Sequence, residues 1–260
     1  MIKNKVGLEA EFILYKGEEI VFPSEYGFST DQFVILGEVR ADPGETRADT
    51  VANFMKEWYK VQYRVNQTPG LAISPFGYGS LTPKQYTEVI KRCDPKEAPK
   101  CENIYGTDLS EYSDAVVVDG KVQQHNISAG LHIHFSSLEE QNTKYVKEKY
   151  SPVSLPVGFN GIDGIKARLD LFKYDGYKEE VDLHCQASRI TKPVINYIVK
   201  AFDEAVLPNY KLPVALKYRH AGFYEIKPWG FEYRSLPFNS ETLKDLMSLV
   251  DKAFTLLGGL

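Results

Sequence analysis

Cysteine is scarce in this sequence, three residues in 260. Cys93 and Cys101 lie eight apart in a stretch that reads as loop and Cys185 stands alone, so neither a disulfide framework nor a zinc quartet can be assembled. That spacing implies a reducing, cytosolic compartment. A basic excess is also missing. With 31 Lys and Arg against 35 Asp and Glu, a net charge of -4 and a pI near 5.8, the composition argues against a general nucleic-acid or anionic-membrane binder, although a local basic groove is compatible with it. No apolar run approaches the length of a membrane span, and the opening M-I-K-N-K-V-G lacks the apolar core of a signal peptide. Neither secretion nor membrane insertion is expected. Also absent are the G-x-x-x-x-G-K-[ST] loop, the kinase G-x-G-x-x-G, and any Ser-His-Asp or Cys-His signature. A nucleotide would therefore have to be held through metal ions, and no covalent protein nucleophile is indicated.

What is present is an ordinary globular balance, 43% hydrophobic and 25% charged, rich in Tyr and Phe at 17 and 14 residues. Much of that aromatic content falls in predicted strands. Alternation and turn signals predict strands over 5–15, 18–22, 31–40, 70–75, 114–118, 121–124 and 126–136, with two more in 213–236 around Pro228-Trp229-Gly230. Asp119-Gly120 is the strongest hairpin signal. Helical spacing predicts helices over 48–64, from Thr82-Pro83 to Arg92, from a Ser137/Glu140 capping box to Tyr150, from Thr191 to Leu207, and from Ser240 to Leu257. Residues 93–107 read as loop, either a solvated surface segment or a lid. With no internal repeat and no dividing linker, residues 1–260 read as a single α+β domain, antiparallel strands on one side and helices on the other.

Three strand segments carry chemistry. Residues 6–14, V-G-L-E-A-E-F-I-L, place Glu9 and Glu11 on one face and Leu8, Ala10 and Phe12 on the other. Two adjacent carboxylates repel, so a positive partner is expected between them, and a divalent cation is the economical one. Lys or Arg partners on an exposed strand would serve a single E-x-E equally well. Residues 128–135, S-A-G-L-H-I-H-F, put His132 and His134 on one face, with Gly130 allowing a ligand or backbone to approach closely. Residues 231–237, F-E-Y-R-S-L-P, do the same for Glu232 and Arg234. Carboxylates and imidazoles with a guanidinium suit Mg²⁺ or Mn²⁺ and phosphate oxygens better than zinc.

The order E-x-E-F, G-x-H-x-H, E-x-R-x-x-P resembles the carboxylate-amine ligase superfamily of glutamine synthetase and glutamate-cysteine ligase. With K-P-W-G-F-E-Y-R it is most similar to the phage-encoded amidoligases. The resemblance implies a glutamine synthetase-like curved antiparallel β-sheet with helices on its convex face. It also implies ATP and Mg²⁺ (or Mn²⁺) as cofactors, with small-molecule or peptide carboxylate and amine substrates joined through an acyl phosphate. On it, Glu9 and Glu11 would bind different metal ions, His132 and Glu232 would complete one of them, and Glu38 would be a further acidic ligand beside Arg40. His134 would touch nucleotide phosphates, Arg219 would neutralise phosphate, and Arg234 would hold the substrate carboxylate or the transferred phosphoryl group. Lys227 stands where another arginine is expected, and 151–190 matches nothing in the family. A metal-dependent hydrolase or other phosphotransferase using the same Glu/His set, or a non-catalytic binding protein, are the alternatives.

Overall fold

The computed structural model describes residues 2–93, 101–106, 113–139, 190–210, 219–227 and 229–259. Its organising element is β1 (Ile2–Lys16), long enough to pair with four other strands. It adjoins β2 (Glu19–Ile20), β3 (Leu36–Arg40) and β4 (Leu71–Ile73), and over Ile2–Ala10 it pairs with β9 (Gly130–Glu139). Beyond β9 the sheet continues through β11 (Gly230–Pro237) and β10 (Phe223–Lys227) to β6 (Glu102–Asn103), every pair antiparallel. A smaller sheet has the order β5 (Tyr78–Leu81), β8 (Lys121–Ser128), β7 (Asp114–Val118). Asp119 and Gly120, with φ of 50° and 72°, close the β7–β8 hairpin as the two-residue turn expected of that dipeptide.

The alternation of β1 decides what each face does. Leu8, Ala10, Phe12 and Leu14 are buried in a core with Phe54 and Trp58 of α1 (Arg47–Gln67). Ile198 and Phe202 of α3 (Lys192–Ala205), and Leu249 and Ala253 of α5 (Leu246–Gly258), complete it. Helices therefore cover one face of the large sheet. On the other face, Ile13 joins a second cluster with Phe33, Leu36, Leu81, Val89 of α2 (Pro83–Arg92) and Ile127, which ties the small sheet to the large one. Between these apolar groups lies the remaining stretch of that face, and it carries Gly7, Glu9 and Glu11. No helix among the described residues is long and apolar enough to cross a membrane.

The antiparallel α+β class holds, and several boundaries move. The predicted strand 126–136 is split at Ala129, because 126–128 belong to β8 in the small sheet and Gly130 starts β9 in the large one. Hydrogen bonds from Ala129 N–H to Gly77 O and from Phe238 N–H to Ala129 O, both 2.9 Å, fix the crossing. Ser137 is not a helix cap. It lies in β9 opposite Asn4, so β9 runs on where a capping box was expected, and 140–150 lie outside the described residues. Glu102–Asn103, inside the expected loop 93–107, forms an edge strand on β10. Two residues are too few to show a period, and the strand is held by contacts distant in sequence, Asn103 Nδ2 to Ala221 O and Tyr224 Oη to Glu102 Oε2. The last helix breaks at Asp245 into α4 (Ser240–Lys244) and α5, and its cap is Asn239, whose side chain accepts from Glu241 N–H and Thr242 N–H.

Candidate functional site

Register brings the three motifs together. Across β1 and β9, Glu9 stands opposite His132 and Gly7 opposite His134, while across β9 and β11, Glu232 stands opposite His134. On the other edge of β1, Glu9 faces Arg40 and Glu11 faces Glu38. The β9–β11 register shifts between Tyr233 and Leu236, a local irregularity that places Arg234 and Ser235 alongside His132. Gly7 leaves room for His134, since a Cβ there would lie 3.3 Å from the His134 Cβ.

At the centre His132 is fully buried, with Nδ1 2.8 Å from Glu232 Oε1 and 3.1 Å from Glu9 Oε1 and with Nε2 3.6 Å from Glu11 Oε1. Burial and Arg234 act to lower its affinity for a proton, but Glu11 and Glu232 prevail and raise its pKa. Glu11 accepts from Gly130 N–H at 2.6 Å and forms a buried ion pair with Arg219. Arg219 also donates through Nε to Ser128 Oγ at 3.1 Å and through Nη1 to the Arg234 carbonyl at 2.8 Å. Gly130 permits that approach, because a Cβ there would overlap the guanidinium.

The flanks are equally charged. Arg40 bridges Glu9 at 3.0 Å and Glu38 at 2.8 Å. Burial alone would raise the Glu9 carboxyl, yet Arg40 with hydrogen bonds from His132 and His134 holds it well below the usual carboxylate range. Glu38 behaves oppositely: burial, reinforced by Glu9, lifts it well above that range despite Arg40. On β10 and β11, Lys227 contacts Glu225 at 2.7 Å and Glu232 at 3.0 Å, and Arg234 contacts the same two at 3.2 and 2.7 Å. Burial again opposes ionisation of Glu232, and Arg234 and Lys227 overcome it.

All nine expected positions, Glu9, Glu11, Glu38, His132, His134, Arg219, Lys227, Glu232 and Arg234, therefore lie in one contact network. Their partnerships differ from those expected. The positive charge anticipated beside Glu9 and Glu11 is supplied by the chain itself, by Arg40 at Glu9 and by Arg219 at Glu11. Five carboxyl groups, counting Glu225, meet four permanent cations and a histidine, so the chain supplies counter-charge throughout the cluster. Glu225 escaped sequence reasoning although Glu225 and Lys227 form the same i, i+2 pair that flagged the other strands. Ser128 and Trp229 were missed because nothing local to either marks it as a partner of the cluster.

Three of the cluster's side chains nevertheless have the spacing and chemistry of a cation site. Glu9, His134 and Glu232 present ligand atoms all within 4.8 Å of one another, two hard carboxylates and an imidazole. Nearby, Glu11 Oε1 and His134 Nδ1 are buried without a hydrogen-bond partner among the described residues. The cavity between Glu9, Asp31, Arg40, His134, Glu225, Lys227, Trp229 and Arg234 is only about 20 Å³, the space of one ion or one oxygen atom. Substrate-sized space begins next to it, in a groove of about 500 Å³ that reaches Glu38 and Arg40 from residues 27–30 and α1. No family model matches the chain, and no curated protein or solved structure does either.

Proposed function

We propose that this protein is an ATP-dependent carboxylate-amine ligase that uses Mg²⁺ or Mn²⁺, joining a small-molecule or peptide carboxylate to an amine through an acyl phosphate. One observation supports this reading above others: the paired side chains of E-x-E, H-x-H and E-x-R, whose order resembles that superfamily, converge on three adjacent strands, on the face opposite α1, α3 and α5. Glu9, His134 and Glu232 would hold the cation, which when bound offers positive charge to phosphate oxygens. This departs from the ligand set that the resemblance implies, where His132 is the ligand. Here His132 instead ties Glu9 to Glu232 and orients both. Lys227, Arg234 and Arg40 border the same cavity as permanent cations for a group that gains negative charge. Glu11 holds Arg219 against the strand end at Gly130. Phosphoryl transfer depends mostly on positioning and charge neutralisation, which such a set supplies without a protein nucleophile.

A metal-dependent hydrolase is the rival, favoured by a cavity that takes a single water-sized guest. Nucleotide turnover separates the two. Purified protein with Mg²⁺ and ATP should release ADP, faster when a suitable acid and amine are both present, and Glu232→Gln should abolish the release. Ester or amide cleavage without nucleotide, with no ADP formed, would favour the hydrolase.

A further inference from the structure

The chain has two tryptophans, and both bury an indole N–H that has no hydrogen-bond partner among the described residues. A buried donor left unmade is costly, so each calls for a reason. Trp58 has a simple one: it sits among Phe12, Phe54 and Phe238, and its ring packing with them is worth the burial. Trp229 lies in different company. It is 1% exposed, its ring is 6.1 Å from that of His134, and it lines the 20 Å³ cavity with Arg40, Lys227 and Arg234.

The backbone beside it is tightly packed. Gly230, with φ of +153°, packs so closely that a Cβ would overlap the Phe135 carbonyl oxygen. Three cations and three carboxylates, Glu9, Asp31 and Glu225, line the cavity, so its own charge is balanced. A divalent ion on Glu9, His134 and Glu232 would leave it positive and ready for an anion.

We propose that Trp229 contacts the ligand: its indole N–H donates to a single phosphoryl oxygen that enters this cavity, the rest of the group staying outside it, and that oxygen enters only once the cation is bound beside the cavity on Glu9, His134 and Glu232. The inference rests on the cation site of the reading above, and it specifies a donor and a binding order that the reading does not. The cation and the anion must then strengthen each other's binding reciprocally.

Titration calorimetry with inorganic phosphate tests it, in the presence and absence of Mn²⁺. Wild-type protein should bind phosphate only with Mn²⁺. Trp229→Phe should weaken that binding about tenfold, the loss of one hydrogen bond to a charged acceptor. Trp58→Phe, which removes the other orphan N–H, should leave it unchanged, and it also leaves Trp229 as the sole indole fluorophore, whose emission should shift on phosphate addition. A thermal melt of each variant shows that the comparison is between folded proteins. Equal phosphate affinity in Trp229→Phe and wild type, phosphate binding without Mn²⁺, or no phosphate binding at all would each overturn the proposal. Trp229-dependent phosphate binding in a protein that never turns over ATP would sustain it while removing the ligase reading.

Discussion

Arg40 and Glu9 face each other across the β1–β3 ladder and are joined by a 3.0 Å ion pair, so a cation arriving at Glu9 meets a guanidinium already there. The Arg40 side chain is 43% exposed and also holds Glu38, which gives it somewhere to go. Removing it should leave Glu9 and Glu38 facing one another with less compensation. Arg40→Gln is therefore expected to tighten Mn²⁺ binding about three- to tenfold, measured by calorimetry without nucleotide. Weaker binding would mean that the guanidinium supports the cation site instead of competing for it.

Glu38 offers a prediction of sign. Burial, helped by Glu9, raises its carboxyl well above the ordinary glutamate range, so the folded protein holds that proton more tightly than the unfolded chain does. Its contribution is then fully present below the ordinary glutamate range and is lost as pH climbs from there through the raised value. Glu38→Gln keeps an acceptor for Arg40 and removes the charge. Denaturant titration should show the variant more stable than wild type at pH 8, with the gap closing toward pH 5. Glu9 and Glu232 run the other way: their depressed carboxyls stabilise the fold above the ordinary range, and that contribution disappears as acid protonates them.

Much of this was legible in the sequence because strands have a period of two. Glu9 and Glu11, His132 and His134, and Glu232 and Arg234 each declare a face, and the apolar residues between them declare the opposite one. What pairs with what was not legible. Register is set by long-range packing, so nothing local showed that Glu9 would meet Arg40 and His132, or that Arg219, 208 residues from Glu11, would neutralise it. The split at Ala129 was hidden for a similar reason, since one unbroken stretch of strand-forming residues passes from one sheet to another without a turn signal.

Glu11 is buried completely, and burial outweighs Arg219 to raise its carboxyl. Burial thus makes the Glu11 charge costly, and Arg219 offsets part of that cost. Glu11→Gln retains an oxygen for the Gly130 N–H and for the guanidinium, so the variant should still fold, at a cost of about 1–3 kcal/mol for the buried Arg219 that has lost its counter-charge. Arg219 would lose its counter-charge, so metal-nucleotide binding and ADP release are expected to fall steeply in this folded variant. Unchanged metal-nucleotide binding by calorimetry would remove Glu11 from the site.

Gly130 carries the last prediction. It starts β9 immediately after the crossing between sheets, its N–H donates to Glu11, and the Arg219 guanidinium lies against its Cα where any side chain would stand. Its φ does not fall in the left-handed region, so the backbone alone would accept alanine. Space is what forbids it. Gly130→Ala should push Arg219 off Glu11 and off the Arg234 carbonyl, at a cost of about 1–3 kcal/mol for overpacking a filled site. Because the added methyl disturbs the same ion pair that Arg219→Ala deletes, the two changes should not add. The double variant should be no less stable than Gly130→Ala alone, since removing the guanidinium makes room for the methyl. Denaturation of the two single variants and the double closes that cycle, and strict additivity would show that the glycine serves something other than the arginine.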